Sequence, residues 1–215
     1  MRSPFAAAAA SLLLAGCAVF KGPDMPQHSP EARWLERKAV LEQVDRFSLQ
    51  ARVAGSGSLG MKAELRWQQN ADGSFDLRLA GPFGAGAVSI AGSPGHVEVR
   101  SREGRQFTTD PELWIRQRFG WSLPIGGLRY WALGLPSPQS PASIELDPEG
   151  KIAVLEQDGW RLEYDEYQPA GPLSLPRRLQ LANAEVTIKL IADRWDGLPF
   201  ATDSAASPPA EAFQP

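Results

Sequence analysis

From Phe47 onward the chain alternates apolar and polar residues with a period of two, and that period constrains the fold more than any other feature. Phe47, Leu49, Ala51 and Val53 fall on one face. Met61, Ala63, Leu65 and Trp67 then alternate with Lys62, Glu64 and Arg66. Successive side chains of a strand point to opposite faces, so this is the pattern of strands with one side buried. Phe75, Leu77 and Leu79 continue it after a turn at Asn70 to Gly73, and Val88 and Ile90, then Val97 and Val99, follow after short glycine-rich turns. The spacing predicts an antiparallel meander. Ser143 to Leu146, Ile152 to Gln157, Trp160 to Tyr164, Arg177 to Leu181 and Val186 to Ile191 read as further strands, about ten in all. A sheet that wide exceeds an eight-stranded barrel, whose interior already suits side chains or one small ligand. Something else must cover its apolar face.

Helices are available to do so. Gly120 to Pro136, GWSLPIGGLRYWALGLP, is too apolar to face water alone. A helix over Ile125 to Leu133, with Pro124 ahead of it and Gly134 and Pro136 behind, would place Leu123, Leu128 and Trp131 on one side. Before it, Asp110, Pro111 and Glu112 read as an N-cap, an N1 proline and an acidic first turn for a helix carrying Leu113, Trp114, Ile115 and Phe119. These helices, inserted between the fifth and sixth strands, are expected to plug one mouth of the sheet. Space left over would be an apolar cavity suited to acyl chains, and a fully packed core satisfies the same composition. Glu31 to Gln43 sets Trp34, Leu35, Val40 and Leu41 among charges at helical spacing and is expected to lie on the sheet. The period-two strands and the 125–133 helix together turn Met61, Leu65, Trp67, Leu77, Leu79, Val88, Ile90, Leu128 and Trp131 toward one another as candidate cavity-lining residues.

The N-terminus carries a different signal. Arg2, the apolar run from Phe5 to Leu14, and Leu14, Ala15, Gly16 and Cys17 read as a charged region, a hydrophobic core and a lipobox. The run is about ten residues, short of the roughly 20 that span a bilayer, so residues 1–16 are expected to be a cleaved lipoprotein signal. Cys17, the sole cysteine, would become the first mature residue and the lipid anchor. No intramolecular disulfide is possible. Two or three acyl chains, at roughly 0.8 kcal/mol per buried methylene, would anchor it stably. Residue 18 is Ala rather than Asp, which under the sorting rule of enteric bacteria directs the protein to the outer membrane. Residues 17–30 read as a tether, 31–200 as one domain, and 201–215, dominated by Ala, Ser, Pro and Glu, as a disordered tail. A formal net charge of −3 leaves no electrostatic footprint for nucleic acid.

Motifs for catalysis fail on context. Gly55, Gly57 and Gly60 match GxGxxG, but the next segment alternates as a strand and opens no helix, so this is a hairpin loop. No serine lies in GxSxG. His28 and His96 have no cysteine or second histidine nearby to hold zinc and read as surface residues. Glu163, Asp165 and Glu166 flank Tyr164 and Tyr167 as on a solvated strand face. Neither enzyme activity nor a cofactor is expected.

The lipobox, the strand ending in Trp67 and Gln68, the loop Gly81 to Gly84, LPIGGLRYWALGLP, and QDGWRLEY at Gln157 to Tyr164 together resemble the LolB family of outer-membrane lipoprotein receptors. The resemblance runs from about Trp34 to Trp195. It implies a mainly β fold with α (α+β): a half-open antiparallel β-barrel of ten to eleven strands, covered by short helices and enclosing an apolar cavity. It implies a monomer, lipid-anchored on the periplasmic side of the outer membrane. Such a receptor accepts acylated lipoprotein clients from the periplasmic carrier LolA, binds their acyl chains and inserts them among outer-membrane phospholipid. Where the family often has an exposed leucine at a loop tip, this chain has Phe83, flanked by Pro82 and Gly84. Pro82 fixes one dihedral and the glycines leave space, so Phe83 either projects outward as a membrane-insertion tip or folds back over the barrel rim. The tail after Trp195 is longer than the family pattern. Two other classes fit an anchored β domain: a structural or glycan-binding lipoprotein without transfer activity, and a lipid hydrolase, for which the chain offers no paired catalytic groups.

Overall fold

The alternating segments all become strands of one sheet. The computed structural model describes residues 29–57, 62–93, 96–119 and 124–200. The signal, Cys17, nearly all of the tether with His28, Met61, Leu123 and the 201–215 tail lie outside them. In chain order the elements are α1 (Pro30–Leu41), β1 (Phe47–Gly57), β2 (Lys62–Gln69), β3 (Phe75–Ala80), β4 (Val88–Ser93), β5 (His96–Ser101) and β6 (Gly104–Thr108). Then come α2 (Pro111–Phe119), α3 (Ile125–Leu133), β7 (Ala142–Leu146), β8 (Ile152–Gln157), β9 (Trp160–Ala170), β10 (Leu173–Ala182) and β11 (Val186–Asp196).

All eleven strands are antiparallel in the order β6-β5-β4-β3-β2-β1-β11-β10-β9-β8-β7. Every hairpin neighbour is paired, β1 and β11 join the two halves, and the edges β6 and β7 stay apart, so the barrel is half-open. The sequence reading placed the helices between the fifth and sixth strands; they lie between the sixth and seventh. Gly104–Thr108 is an exposed edge strand, and with neither face buried it has no apolar alternation to betray it. Strands β9 and β10 also run further than their pattern, through Pro169 and Pro176. Pro176 is tolerated beside an irregularity in the register.

Register aligns the inner face. Leu49 pairs with Trp67, Trp67 with Leu77, Leu77 with Ile90 and Ile90 with Val99, a transverse row across five strands. A second row, Ala51, Leu65, Leu79 and Val88, lies one inward step toward the β3–β4 loop. A one-residue slip would turn both rows to solvent, which is why the period specifies the pairing so strongly.

Helix α1 starts at an N-cap, Ser29, whose Oγ accepts the Ala32 N–H at 3.1 Å. It crosses the end of the sheet, where Arg33 donates to the Pro148 carbonyl at 2.6 Å and Arg37 donates to the Ser174 carbonyl. Trp34 and Leu41 enter the main core, but Leu35 and Val40 remain exposed. The apolar face of α1 is therefore narrower than its composition indicates. In α2 the Asp110 carboxylate accepts the Leu113 N–H at 2.8 Å, the expected cap, while Ile115 is buried and Leu113 exposed. Helix α3 ends as expected at Gly134, in the left-handed conformation (φ 76°) with its N–H donated back to the Trp131 carbonyl at 3.1 Å.

Candidate functional site

Between the inner row and the first turns of α3 lies a small apolar cavity of about 130 Å³, lined by Trp67, Gln69, Gly73, Phe75, Leu77, Ile125, Gly126, Leu128 and Arg129. Strands β2 and β3 supply its floor through the Trp67–Leu77 and Gln69–Phe75 pairs. The Phe75 ring lies across β4 where that strand has Gly92: a side chain there would begin 2.4 Å from Phe75 Cε1 and would displace the ring. Leu128 reaches the cavity from above.

Of the nine candidates from the sequence, Trp67, Leu77 and Leu128 line this space. Leu65 is buried in the main core and Leu79 packs partly buried against it, both on the second row. Ile90 sits in a separate cluster with Val97 and Val99, against which Val88, Phe75 and Trp114 pack. Trp131 does not line the cavity: it is fully buried, its indole N–H donates to Gln157 Oε1 at 2.8 Å, and its carbonyl accepts from Tyr164 Oη at 2.9 Å. Helical spacing puts it on the same side of α3 as Leu128, but one turn further along the helix that side meets Gln157 and Tyr164 rather than the cavity. Met61 is outside the described residues.

Gln157 and Gln69 are buried polar residues that apolar pattern-reading passes over. Gln157 is buried and uses its whole amide: Oε1 also accepts the Ser137 N–H at 2.9 Å, and Nε2 donates to the carbonyls of Ser137 at 2.8 Å and Ser140 at 2.9 Å. The strand end is thereby pinned to the segment that leaves α3. Gln69 is buried at the cavity, its Nε2 held by the carbonyls of Asn70 at 3.4 Å and Ser74 at 3.3 Å. Each is a polar residue on the inward register of an apolar strand, and that misfit is the available signal.

At the other end of β3, the connection to β4 forms a tight knuckle. Gly81 N–H donates to the Ala85 carbonyl at 2.9 Å and Gly84 N–H to the Gly81 carbonyl at 3.0 Å, around a short 3₁₀ turn, Pro82–Gly84. Phe83 at its tip is fully exposed and has φ 58° and ψ 23°, the left-handed region that L side chains rarely adopt. The outward of the two placements is the one found. Strained, solvent-facing and apolar, this residue contributes nothing to the packing of the fold.

A second, open cleft of about 770 Å³, its lining mixed polar and apolar, has Glu112, Arg116, Asp158 and Asn183 among its residues. Burial, then repulsion from Asp110 and Asp158, holds the Glu112 carboxyl above the ordinary range, opposed by a hydrogen bond from the Ile125 backbone that ties α2 to the start of α3. A carboxyl with a raised native pKa takes up its proton more readily folded than unfolded. Its contribution to stability is therefore fullest at acid pH and falls as pH rises from the usual glutamate range through the native value. Glu112→Gln, which keeps an acceptor for Ile125 and removes the charge, is expected to raise the melting temperature at pH 7 and to lose that advantage on acidification; a series of melts between pH 4 and 7 measures it. Glu163 pairs with Arg161 and Glu166 with Arg177, on the solvated face the sequence implied.

The family model described as outer membrane lipoprotein LolB matches residues 45–195. The outer-membrane lipoprotein LolB of Chromohalobacter salexigens is 38% identical over 184 residues, covering 85% of each chain. That of Pseudomonas putida strain F1 is 35% identical over 192 residues, 85% of this chain and 90% of its own, and that of Pseudomonas paraeruginosa is 34% identical over 200 residues, 89% and 94%. Among solved structures, a LolA superfamily protein from Nitrosomonas europaea is similar at a TM-score of 0.48 and 8% identity, over 82% of this chain and 99% of that one.

Proposed function

The chain belongs to the LolB family of outer-membrane lipoproteins, and from that premise we propose that it is a receptor, not an enzyme. In this reading Cys17 is the lipid anchor, residues 17–30 the tether and 31–200 the acyl-binding domain, held at the periplasmic face of the outer membrane. Acylated lipoproteins arrive from the carrier LolA, lodge their chains against the inner face of the sheet, and pass into the outer membrane. One observation carries the proposal: the knuckle holds Phe83 in strained backbone and in full contact with water, at the end of an apolar row that leads back toward the cavity. A membrane interface relieves that exposure.

The dimensions define what must move. A cavity of about 130 Å³ is close to the roughly 150 Å³ that admits benzene, so a long acyl chain enters only when helices shift. The C-terminal half of α3 is held through Trp131 by Gln157 and Tyr164. The N-terminal half, with Ile125, Gly126 and Leu128 over the cavity, is the part that lifts.

A ligand that binds only the folded state stabilises it by RT ln(1 + [L]/Kd), about 2.7 kcal/mol at a hundredfold excess over Kd. An acylated peptide at that excess is expected to raise the melting temperature by about 5–10 °C, and its unacylated counterpart to leave it unchanged. Equal melts with both peptides would remove the acyl-binding reading.

A further inference from the structure

The cavity is apolar in outline, yet one residue of its wall, Trp67, carries a donor that is unanswered. Trp67 is only 6% exposed, and its buried indole Nε1 has no acceptor among the described residues. Other tryptophans of the domain are served: Trp114 Nε1 donates to Gln106 Oε1 at 2.6 Å, Trp131 Nε1 to Gln157 Oε1 at 2.8 Å, and Trp195 Nε1 to the Pro176 carbonyl at 3.3 Å. A buried donor without a partner is costly and is seldom retained without use. The polar neighbours of Trp67 at the cavity are already committed: Gln69 Nε2 donates to the carbonyls of Asn70 and Ser74, and the Ile125 N–H in the first turn of α3 donates to the Glu112 carboxylate. A hydrocarbon chain gives the Trp67 donor nothing; the oxygen of a carbonyl accepts from it.

Resting on the receptor reading above, we propose that this corner recognises the carbonyl oxygen by which an acyl chain is attached, with the Trp67 indole N–H donating to it and the chain running on along Leu77 and Leu128. The site then distinguishes acylated lipid from bare hydrocarbon and sets how deep the chain enters. Two linkages present such an oxygen, an O-acyl glyceryl ester and an N-acyl amide, and they are separable. Nothing covalent changes in either case.

The test uses the full chain carrying Cys17→Ala and three peptides: one with two palmitoyl esters on a glyceryl group, its dihexadecyl ether analogue lacking the carbonyls, and one with a single N-palmitoyl amide. Calorimetry gives affinities, and the indole N–H resonance of Trp67 reports the contact directly. The expected result is that the ester peptide binds about tenfold tighter than the ether, as one added hydrogen bond provides. It should shift the indole resonance, and Trp67→Phe, which keeps an aromatic ring and removes the donor, should abolish the difference. An indole shift produced by the amide peptide and not by the ester supports the same site with the amide as its source. Equal affinity for ester and ether with an unmoved indole resonance overturns the inference and leaves acyl binding intact. An ester preference that survives in Trp67→Phe also overturns it. If none of the three peptides binds, the receptor reading falls and this inference with it. The wild-type comparison and the resonance decide the matter even if Trp67→Phe does not fold.

Discussion

Phe83→Glu is expected to separate delivery from folding. The wild-type side chain touches nothing in the domain, so the change should move stability by no more than about 0.5 kcal/mol and the melting temperature by about 1–2 °C. Delivery should suffer far more. Burying a phenylalanine in hydrocarbon contributes roughly 2 kcal/mol, and the carboxylate that replaces it resists entry, so transfer from receptor to liposome should slow about 30-fold or more. Acceptance of lipoprotein from LolA should stay near normal, because the knuckle lies beyond the second row and away from the cavity. Phe83→Gly sharpens the test. Glycine adopts φ 58° without strain, so this variant should gain about 1 kcal/mol of stability while delivery is still impaired. A two-stage assay, carrier to receptor and receptor to liposome, run beside a thermal melt, reads all of these. Normal delivery by a stable Phe83→Glu protein would show that this side chain does not drive insertion.

Gln157→Leu should have the largest effect on stability. Leucine fits the volume but makes none of the four hydrogen bonds, leaving the Trp131 indole N–H, the Ser137 N–H and the carbonyls of Ser137 and Ser140 without partners. Each buried orphan costs about 1–3 kcal/mol. Some relaxation toward water near Ser140 is expected, so the sum should fall near 3–5 kcal/mol and lower the melting temperature by about 10–15 °C. Hydrogen exchange at the Trp131 indole should accelerate with it. A melt within 2–3 °C of the wild type, given the 2–4 °C that each kcal/mol moves a domain of this size, would mean that Gln157 is not the pin between β8 and α3. The same variant tests the division of α3 into a held half and a lifting half: with the held half released, acyl peptides should bind a looser site.

Much of the fold was legible because the inner face of a half-buried sheet writes its period directly into the chain. Leu49, Trp67, Leu77 and Ile90 could be placed on that face before any pairing was known, and Asp110 and Gly134 marked helix ends because caps need particular residue types. Strand β6 was not legible, because an edge strand exposed on both sides has no pattern to show. The burial of Leu35 and Val40 was misjudged for a related reason: periodicity says which residues share a helix face, not how wide a strip the neighbouring elements cover.

The sequence by itself determined the family resemblance, the antiparallel meander, the segments that form helices and the apolar tip of the knuckle, all of which depend on residues close together in the chain. Only the tertiary structure decided which inward residues meet empty space and which are packed. Trp67, Leu77 and Leu128 border a cavity while Trp131, on the same helix as Leu128, is locked into the core. Whether an inward side chain meets another side chain or a gap depends on how α3 settles across strands far from it in sequence. The same holds for polar partners. Gln157 is satisfied and the Trp67 indole is not, because a hydrogen bond needs a partner within about 3 Å, and that is a property of three-dimensional proximity rather than of residue type.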